Sequence, residues 1–292
     1  MKNHIIIGDC RDALKTLTPK SVHLIVTSPP YNLNINYGKW NDRMPFDDYM
    51  DFSRAWLEEC YRVLRDDGRI CVNVPLYTHR NLQRNLLNAY QNLMTEIGFI
   101  ERDTIFWIKM FGMELSGSSK VWGTWNPANP IMEYPCEAII VMNKKEKRLS
   151  GWKSDITKRQ LYKWRNNVWF FPPESDRSHP APFPEELPRR LIKFFSFVGQ
   201  TILDPFLGSG TTMKVANGLN RKCIGIELDD RYLEMIKTKV GINQSDLTIT
   251  YHSKNPSGLL KNPASSPTAE SKTPKEFDWR DWEHEIERFF DF

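Results

Sequence analysis

Cysteine is sparse: Cys10, Cys60, Cys71, Cys136 and Cys223 are the only five in 292 residues. Their odd number argues against a disulfide framework, and no pair has the Cys-x-x-Cys spacing of a zinc site. Buried free thiols and no metal are therefore expected. Long apolar runs are missing as well. None approaches the roughly 18 residues that a membrane span requires, and the apolar stretch behind Met1 is too short for a secretory signal. A cytoplasmic protein with no membrane partner is the expectation, and no internal repeat is visible. What remains is an ordinary globular composition, 40% hydrophobic and 26% charged. The length suits one large α/β domain with an insertion, or two modest domains.

The net charge of +4 is small but unevenly spread. Residues 144–165 hold nine Lys/Arg against Glu146 and Asp155, a local +7. Residues 276–292 hold seven acids against Arg280 and Arg288, a local −5. The basic stripe suits a polyanion, and a solvated loop is the plainer alternative.

Short apolar, β-branched runs at His4–Ile7, Val22–Thr27, Ile70–Val74, Thr104–Ile108, Ala138–Met142, Thr201–Leu203 and Cys223–Glu227 read as buried strands of a parallel sheet. Helical spacing separates them. Asp48–Leu64 places Tyr49, Phe52, Trp56, Leu57, Cys60, Tyr61 and Leu64 three and four apart, with Gly68 as its expected stop. Thr211–Leu219 and Asp230–Val240 are two further helices. The alternation predicts a doubly wound α/β fold. The Trp-, Gly- and Pro-rich stretch 110–182 breaks the rhythm and reads mostly as an insertion carrying substrate contacts. Residues 253–275 have the composition of a linker. Beyond them, Phe277–Phe292 has amphipathic spacing and reads as docking on its own domain.

Two motifs carry chemistry. The first is Thr201-Ile-Leu-Asp-Pro-Phe-Leu-Gly-Ser-Gly-Thr-Thr212: a strand, an acid, a glycine turn and a helix start. Glycines there let backbone approach a ligand, and the helix start offers free N–H groups. Cys223–Leu228 follows as a strand ending in Glu227, whose carboxylate can accept both ribose hydroxyls. A P-loop would need Lys after Gly210, and a dinucleotide fingerprint would need glycine at Met213. S-adenosylmethionine fits better: it has no phosphate, and its ammonium group can be met by Asp204. A turn of purely structural use is the alternative.

The second motif, Val26-Thr-Ser-Pro-Pro-Tyr-Asn32, follows directly on a strand. Two prolines fix φ and aim the carbonyls of Ser28 and Pro29. An amino group on a flipped base could donate to the Ser28 hydroxyl and the Pro29 carbonyl, with Tyr31 stacked on the ring. A rigid turn is again the bland reading.

Together the two motifs resemble the DNA amino-methyltransferase family, in its permuted (beta) order with the catalytic motif upstream. The resemblance covers about residues 3–240. It implies a circularly permuted, Rossmann-like S-adenosylmethionine-dependent sheet, cut between its second and third strands. The catalytic set would be Ser28, Pro29, Pro30 and Tyr31. The cofactor set would be Asp9, Phe183, Asp204, Phe206, Gly208, Gly210, Thr211 and Glu227. Within it Asp9 would accept from the adenine amine, and Phe183, in His179–Glu185, would lie by the methionine moiety.

The implied organisation is a catalytic half (1–109), a target recognition region (110–170, including the strand at 138–142), a cofactor half (171–252), a linker (253–276) and an acidic tail (277–292). Trp122, Trp125, Trp152, Trp164 and Trp169 are interleaved through that recognition region, some of them as core. The implied partner is double-stranded DNA with a short recognition site, protected from a cognate restriction endonuclease; the enzyme would be a monomer or dimer.

In the family resembled, serine before Pro-Pro-Tyr goes mostly with cytosine N4, so the resemblance implies that target, with adenine N6 as the alternative. An RNA or protein methyltransferase and a catalytically silent nucleic-acid-binding module are the readings from other classes. Pro135-Cys136 resembles the nucleophile of carbon-5 methylating enzymes, but it stands before a different strand and reads as a small buried hydrophobe.

Overall fold

The computed structural model describes residues 3–78, 84–109, 135–174, 183–241 and 246–252. The expected linker and tail, Trp122, Trp125 and most of the His179–Glu185 motif lie outside the described residues.

In chain order the elements are β1 (Asn3–Ile7), α1 (Cys10–Ala13), β2 (Val22–Thr27), α2 (Phe46–Val63), β3 (Leu64–Pro75), the short pair β4 (Tyr77–Thr78) and β5 (Arg84–Asn85), α3 (Leu86–Ile97) and β6 (Ile100–Ile108). There follow β7 (Cys136–Asn143), α4 (Lys158–Trp164), β8 (Val168–Phe170), α5 (Glu186–Phe195), β9 (Thr201–Asp204), α6 (Thr211–Gly218), β10 (Lys222–Glu227), α7 (Leu233–Val240) and β11 (Leu247–Tyr251).

Nine of the described strands form one sheet in the order β11-β1-β10-β9-β2-β3-β7-β6-β8. Side chains alternate between its two faces, as the period of a strand requires. Ile6, Ile25, Ile70 and Val72 pack under α2 and α3, whereas Ile5, Leu24, Val26 and Cys71 pack under α5, α6 and α7. The strand order reverses between β9 and β2, so connections leave in opposite directions there. Such a switch point opens a crevice at the carboxyl ends of the strands. β1, the first strand in the chain, pairs with β10, one of the last, as the permuted order implies.

Two sequence expectations are corrected. The sheet is not wholly parallel: β7 runs antiparallel to both β3 and β6. Parallel neighbours need a crossover connection, whereas β7 starts beside the end of β6, with Cys136 opposite Ile108, and runs back along it. The amide of Lys109 donates to the Pro135 carbonyl at 2.9 Å, so the two ends of the intervening segment meet at one edge. Gly68, in turn, does not stop α2. The helix ends at Val63, and Leu64, whose backbone is already extended, opens β3 directly. Leu64 is fully buried, and a Cβ on Gly68 would meet its Cδ1 at 2.8 Å. The glycine makes room for a core leucine.

Arg221 locks the loop before β10 onto the rest of the domain. Its side chain is 0% exposed, and Nη1 and Nη2 each donate to Asp155 at 2.7 Å. Nη2 also donates to the Ser196 carbonyl at 2.8 Å and Nη1 to that of Leu219 at 2.7 Å. Burial raises the Asp155 pKa, but the hydrogen bonds and charge of Arg221 outweigh it and hold the carboxyl below its usual range. Removing one partner of a buried pair strands the other charge. Asp155→Ala is expected to destabilise the domain by about 3 kcal/mol in urea melts. A loss under about 0.5 kcal/mol, the scale of an ordinary surface change, would remove the pair from the stability account.

Candidate active site

A cavity of about 240 Å³ opens at the carboxyl ends of β1, β2, β9 and β10. One wall is built by the turns after β9 and β10. Glu227 ends β10, and its Oε2 accepts from the Gly208 amide at 2.9 Å while Oε1 accepts from the Asp229 amide at 2.9 Å. Gly208 has φ +53°, a left-handed conformation natural to glycine. Burial pushes the Glu227 carboxyl up to about 7. Phe206, Thr211 and Phe183 also face the cavity. Asp9 reaches it from the turn after β1, where it caps α1 through the Arg11 amide at 2.9 Å and pairs with the Arg11 guanidinium at 2.6 Å.

Asp204 and Gly210, expected on this wall, stand behind it. Asp204 is fully buried, and its Oδ1 accepts from the Thr27 hydroxyl at 2.8 Å and from the Phe206 amide at 3.1 Å. It thus ties the end of β2 to the turn after β9, and burial pushes its carboxyl up to about 6. Gly210 has φ +89°, and a Cβ there would meet Ile236 Cγ2 at 3.0 Å. That glycine lets the start of α6 pack against α7.

The opposite wall carries Ser28, Pro29, Pro30 and Tyr31, directly beyond β2. The Ser28 hydroxyl lies 2.5 Å from the Tyr31 hydroxyl. Asn73 Nδ2 donates to Tyr31 at 2.9 Å, and the Tyr31 hydroxyl reaches Glu137 Oε2 at 3.4 Å. Glu137 also accepts from Asn73 at 2.5 Å and, on its other oxygen, from the Lys109 ammonium. Tyr31, read from sequence only as a stacking ring, is 8% exposed and has its hydroxyl committed to this network. Burial, and then the Glu137 carboxylate, push that hydroxyl well above its ordinary range. Sheet register brings the parts together: Pro75 and Trp107 flank Glu137 across β7, and Asn73 lies on the same face, two residues along β3 from Pro75.

Sequence reasoning missed Asn73, Lys109 and Glu137. The one visible signal was Asn73, a polar residue inside the apolar run Ile70–Val74. It also missed the loop after the catalytic motif. There the buried Asp42 carboxylate accepts from the amides of Asn32, Leu33 and Ile35 at 2.8, 2.9 and 3.0 Å, and Tyr37 and Trp40 turn into the cavity.

The expected basic and aromatic stripe divides. Trp164 and Trp169 are core residues, whereas Trp152 is fully exposed. Lys144 is buried, donating to the Leu64 carbonyl at 2.8 Å over the Tyr61 ring, and is a structural lysine. Cys136 is half-buried rather than buried, and burial and Glu137 raise its thiol pKa. The other four cysteines are buried and free. Among the described residues no helix is long and apolar enough to cross a membrane.

The DNA methylase family model N6_N4_Mtase matches residues 22–238. The type II methyltransferase M.MjaI of Methanocaldococcus jannaschii is 31% identical over 296 residues, spanning 86% of this chain and 95% of that protein. M.HpaI of Haemophilus parainfluenzae, also a type II methyltransferase, is 32% identical over 255 residues, spanning 82% and 74%. Among solved structures, TTHA0409 of Thermus thermophilus, complexed with S-adenosyl-L-methionine, superposes with TM-score 0.70 at 26% identity over 87% of this chain and 100% of that one. The cytosine-N4-specific PvuII DNA methyltransferase shares the fold, with TM-score 0.66 at 21% identity over 84% and 88%. With the family model matching most of the chain and relatives above 30% identity along most of it, this protein belongs to the N6/N4 DNA methylase family.

Proposed function

We propose that the protein methylates cytosine N4 within a short specific sequence of double-stranded DNA, taking the methyl group from S-adenosylmethionine, as the modification enzyme of a type II system. The observation that carries the reading is one cavity with the Glu227 carboxylate and Gly208 turn on one wall and Ser28–Tyr31 on the other.

The cofactor's parts suit the first wall. Glu227 can accept the ribose hydroxyls and Asp9 the adenine amine, while Phe206 and Phe183 supply apolar contact and Gly208 and Thr211 a close backbone. Asp204, from behind, holds this wall to the catalytic strand. When bound, the cofactor supplies a methyl group on a cationic sulfur, a leaving group that needs no acid.

The second wall answers the remaining difficulty, which is the amine. Its lone pair is delocalised into the ring. Two hydrogen bonds, to Ser28 and to the Pro29 carbonyl, turn the nitrogen toward a tetrahedral geometry and localise that pair. Positioning then does most of the catalysis. Serine at the first position of Ser-Pro-Pro-Tyr supports cytosine over adenine. The meeting of Lys109 and Pro135 beside the cavity supports target recognition by the part of 110–170 that lies between them, with phosphate contacts from basic residues farther along, such as Lys158 and Arg165. The relatives M.MjaI and M.HpaI are type II methyltransferases, which supports a place in a type II system.

Glu227 makes cofactor affinity pH-dependent. The ribose hydroxyls donate to the ionised carboxylate, and in the free protein that form prevails only above a pKa of about 7. Calorimetric Kd is expected to weaken by up to about tenfold per pH unit as pH falls below that value. A Kd that stays flat from pH 8 to 6 would contradict a carboxylate contact.

The activity itself is tested by incubating the protein with mixed-sequence unmethylated DNA and cofactor, digesting to nucleosides and identifying the product by mass spectrometry. N4-methylcytosine is expected. N6-methyladenine would overturn the choice of base, and no methylated base would overturn the activity.

A further inference from the structure

The cavity wall holds an ion pair that the mechanism above leaves unused. Glu137 and Lys109 are bonded to each other at the cavity wall, with side chains 12% and 28% exposed. A carboxylate drawn so far from water has a role to explain. Resting on the functional reading just given, we infer that Glu137 is the proton-accepting end of a relay, Ser28–Tyr31–Glu137, that drains the proton released by the methylated amine.

The donors and acceptors permit one consistent polarity. Glu137 is fed by Lys109 on Oε1 and by Asn73 and Tyr31 on Oε2, and Tyr31 in turn accepts from Asn73. With the Tyr31 proton turned to Glu137 and the Ser28 proton turned to Tyr31, a lone pair of the Ser28 oxygen is left to face the substrate amine. Serine can then accept, although a hydroxyl alone has no preference. The Glu137 carboxylate fixes this sense because it can only accept, so the Tyr31 proton turns to it and the Tyr31 oxygen is left to accept from Ser28. Reversing the chain would set two acceptors, the Tyr31 and Glu137 oxygens, against each other.

The same chain balances the reaction. As the methyl group joins the nitrogen, positive charge makes its N–H acidic. That N–H bond breaks, with its electron pair kept by nitrogen, and an O–H bond forms at Ser28. Serine's own proton passes to Tyr31, and tyrosine's to Glu137 Oε2, so one proton moves from nitrogen to carboxylate with no oxidant or reductant. The protonated acid then exchanges with water at the cavity. No tyrosinate need accumulate, in line with the raised Tyr31 hydroxyl. Charged or titratable groups facing Glu137 are Lys109 after β6, Tyr31 and Tyr37 beyond β2, and its neighbour Cys136.

Three variants test the relay by rapid-quench single turnover with saturating cofactor and a methylatable duplex. Glu137→Gln keeps the shape without the base, Tyr31→Phe keeps the Glu137–Lys109 pair but cuts the chain, and the third combines both. Each single variant is expected to lose about 10²-fold in rate, the usual reach of acid–base catalysis. The double variant should lose no more than either alone, because the groups act as one unit. Calorimetric Kd for S-adenosylmethionine and thermal midpoints should stay near wild type. In Glu137→Ala, added formate should restore part of the rate.

A Glu137→Gln rate equal to wild type, losses that multiply in the double variant, or a loss accounted for by cofactor Kd would each overturn the relay. Should Glu137→Gln not fold, Tyr31→Phe at the wild-type rate overturns it alone. Wild-type protein that methylates no base overturns the functional reading and the relay together, which separates the two failures.

Discussion

Ser28→Ala is expected to slow methyl transfer in single turnover by about 10²- to 10³-fold, the scale for removing one preorganised polar group aimed at developing charge. The Kd for cofactor should change by less than about twofold, as for any site that shares no partner with the mutated one. The geometry separates the two effects. The Ser28 hydroxyl bonds to Tyr31, at 2.5 Å, on the wall opposite Glu227. The strut from Thr27 to Asp204 at 2.8 Å, which holds the end of β2 to the cofactor turn, is left intact. Alanine also fits any conformation serine adopts, so the turn itself should persist. Weakened cofactor binding with an undiminished rate at saturation would contradict the role assigned to Ser28.

Glu227→Ala should do the reverse. Cofactor Kd is expected to rise by about 10²- to 10⁴-fold, since hydrogen bonds to a charged group are worth about 1.5–3 kcal/mol each and two are lost. Part of the loss is indirect. The same carboxylate accepts from the amides of Gly208 and Asp229, both at 2.9 Å, and so shapes the turn that approaches the ligand. Glu227→Gln keeps one acceptor and should fall between wild type and alanine in calorimetry. Unaltered affinity in Glu227→Ala would take Glu227 off the cofactor wall.

How far the sequence carried these conclusions depended on the range of the interaction. β2 was bounded correctly at Val22–Thr27 because an apolar run stops at a double proline, both local signals. β1, β9 and β10 were found within a residue for similar reasons. The two edge strands were not. β8 has three residues, and β11 buries little, so neither offers a pattern to read. The direction of β7 was misjudged because an apolar strand looks the same whether its partners run with it or against it.

The site divides in the same way. Two contiguous motifs marked both walls. Depth was not encoded in either, so Asp204 was expected at the surface of the cavity and lies 0% exposed behind it. The Asn73–Glu137–Lys109 group joins residues from β3, β7 and the end of β6 that share a face only once the register is set. The basic stripe misled in part: local charge did not distinguish Lys144, buried against Tyr61, from the exposed cations around it.

The most direct test is the structure of the protein bound to a non-reactive cofactor analogue and a duplex containing its recognition site. A cytosine is expected to be flipped into the cavity, with N4 about 2.7–3.2 Å from both Ser28 Oγ and the Pro29 carbonyl. A flipped adenine in that position, or a target amine seated away from Ser28 and Pro29, would contradict the account.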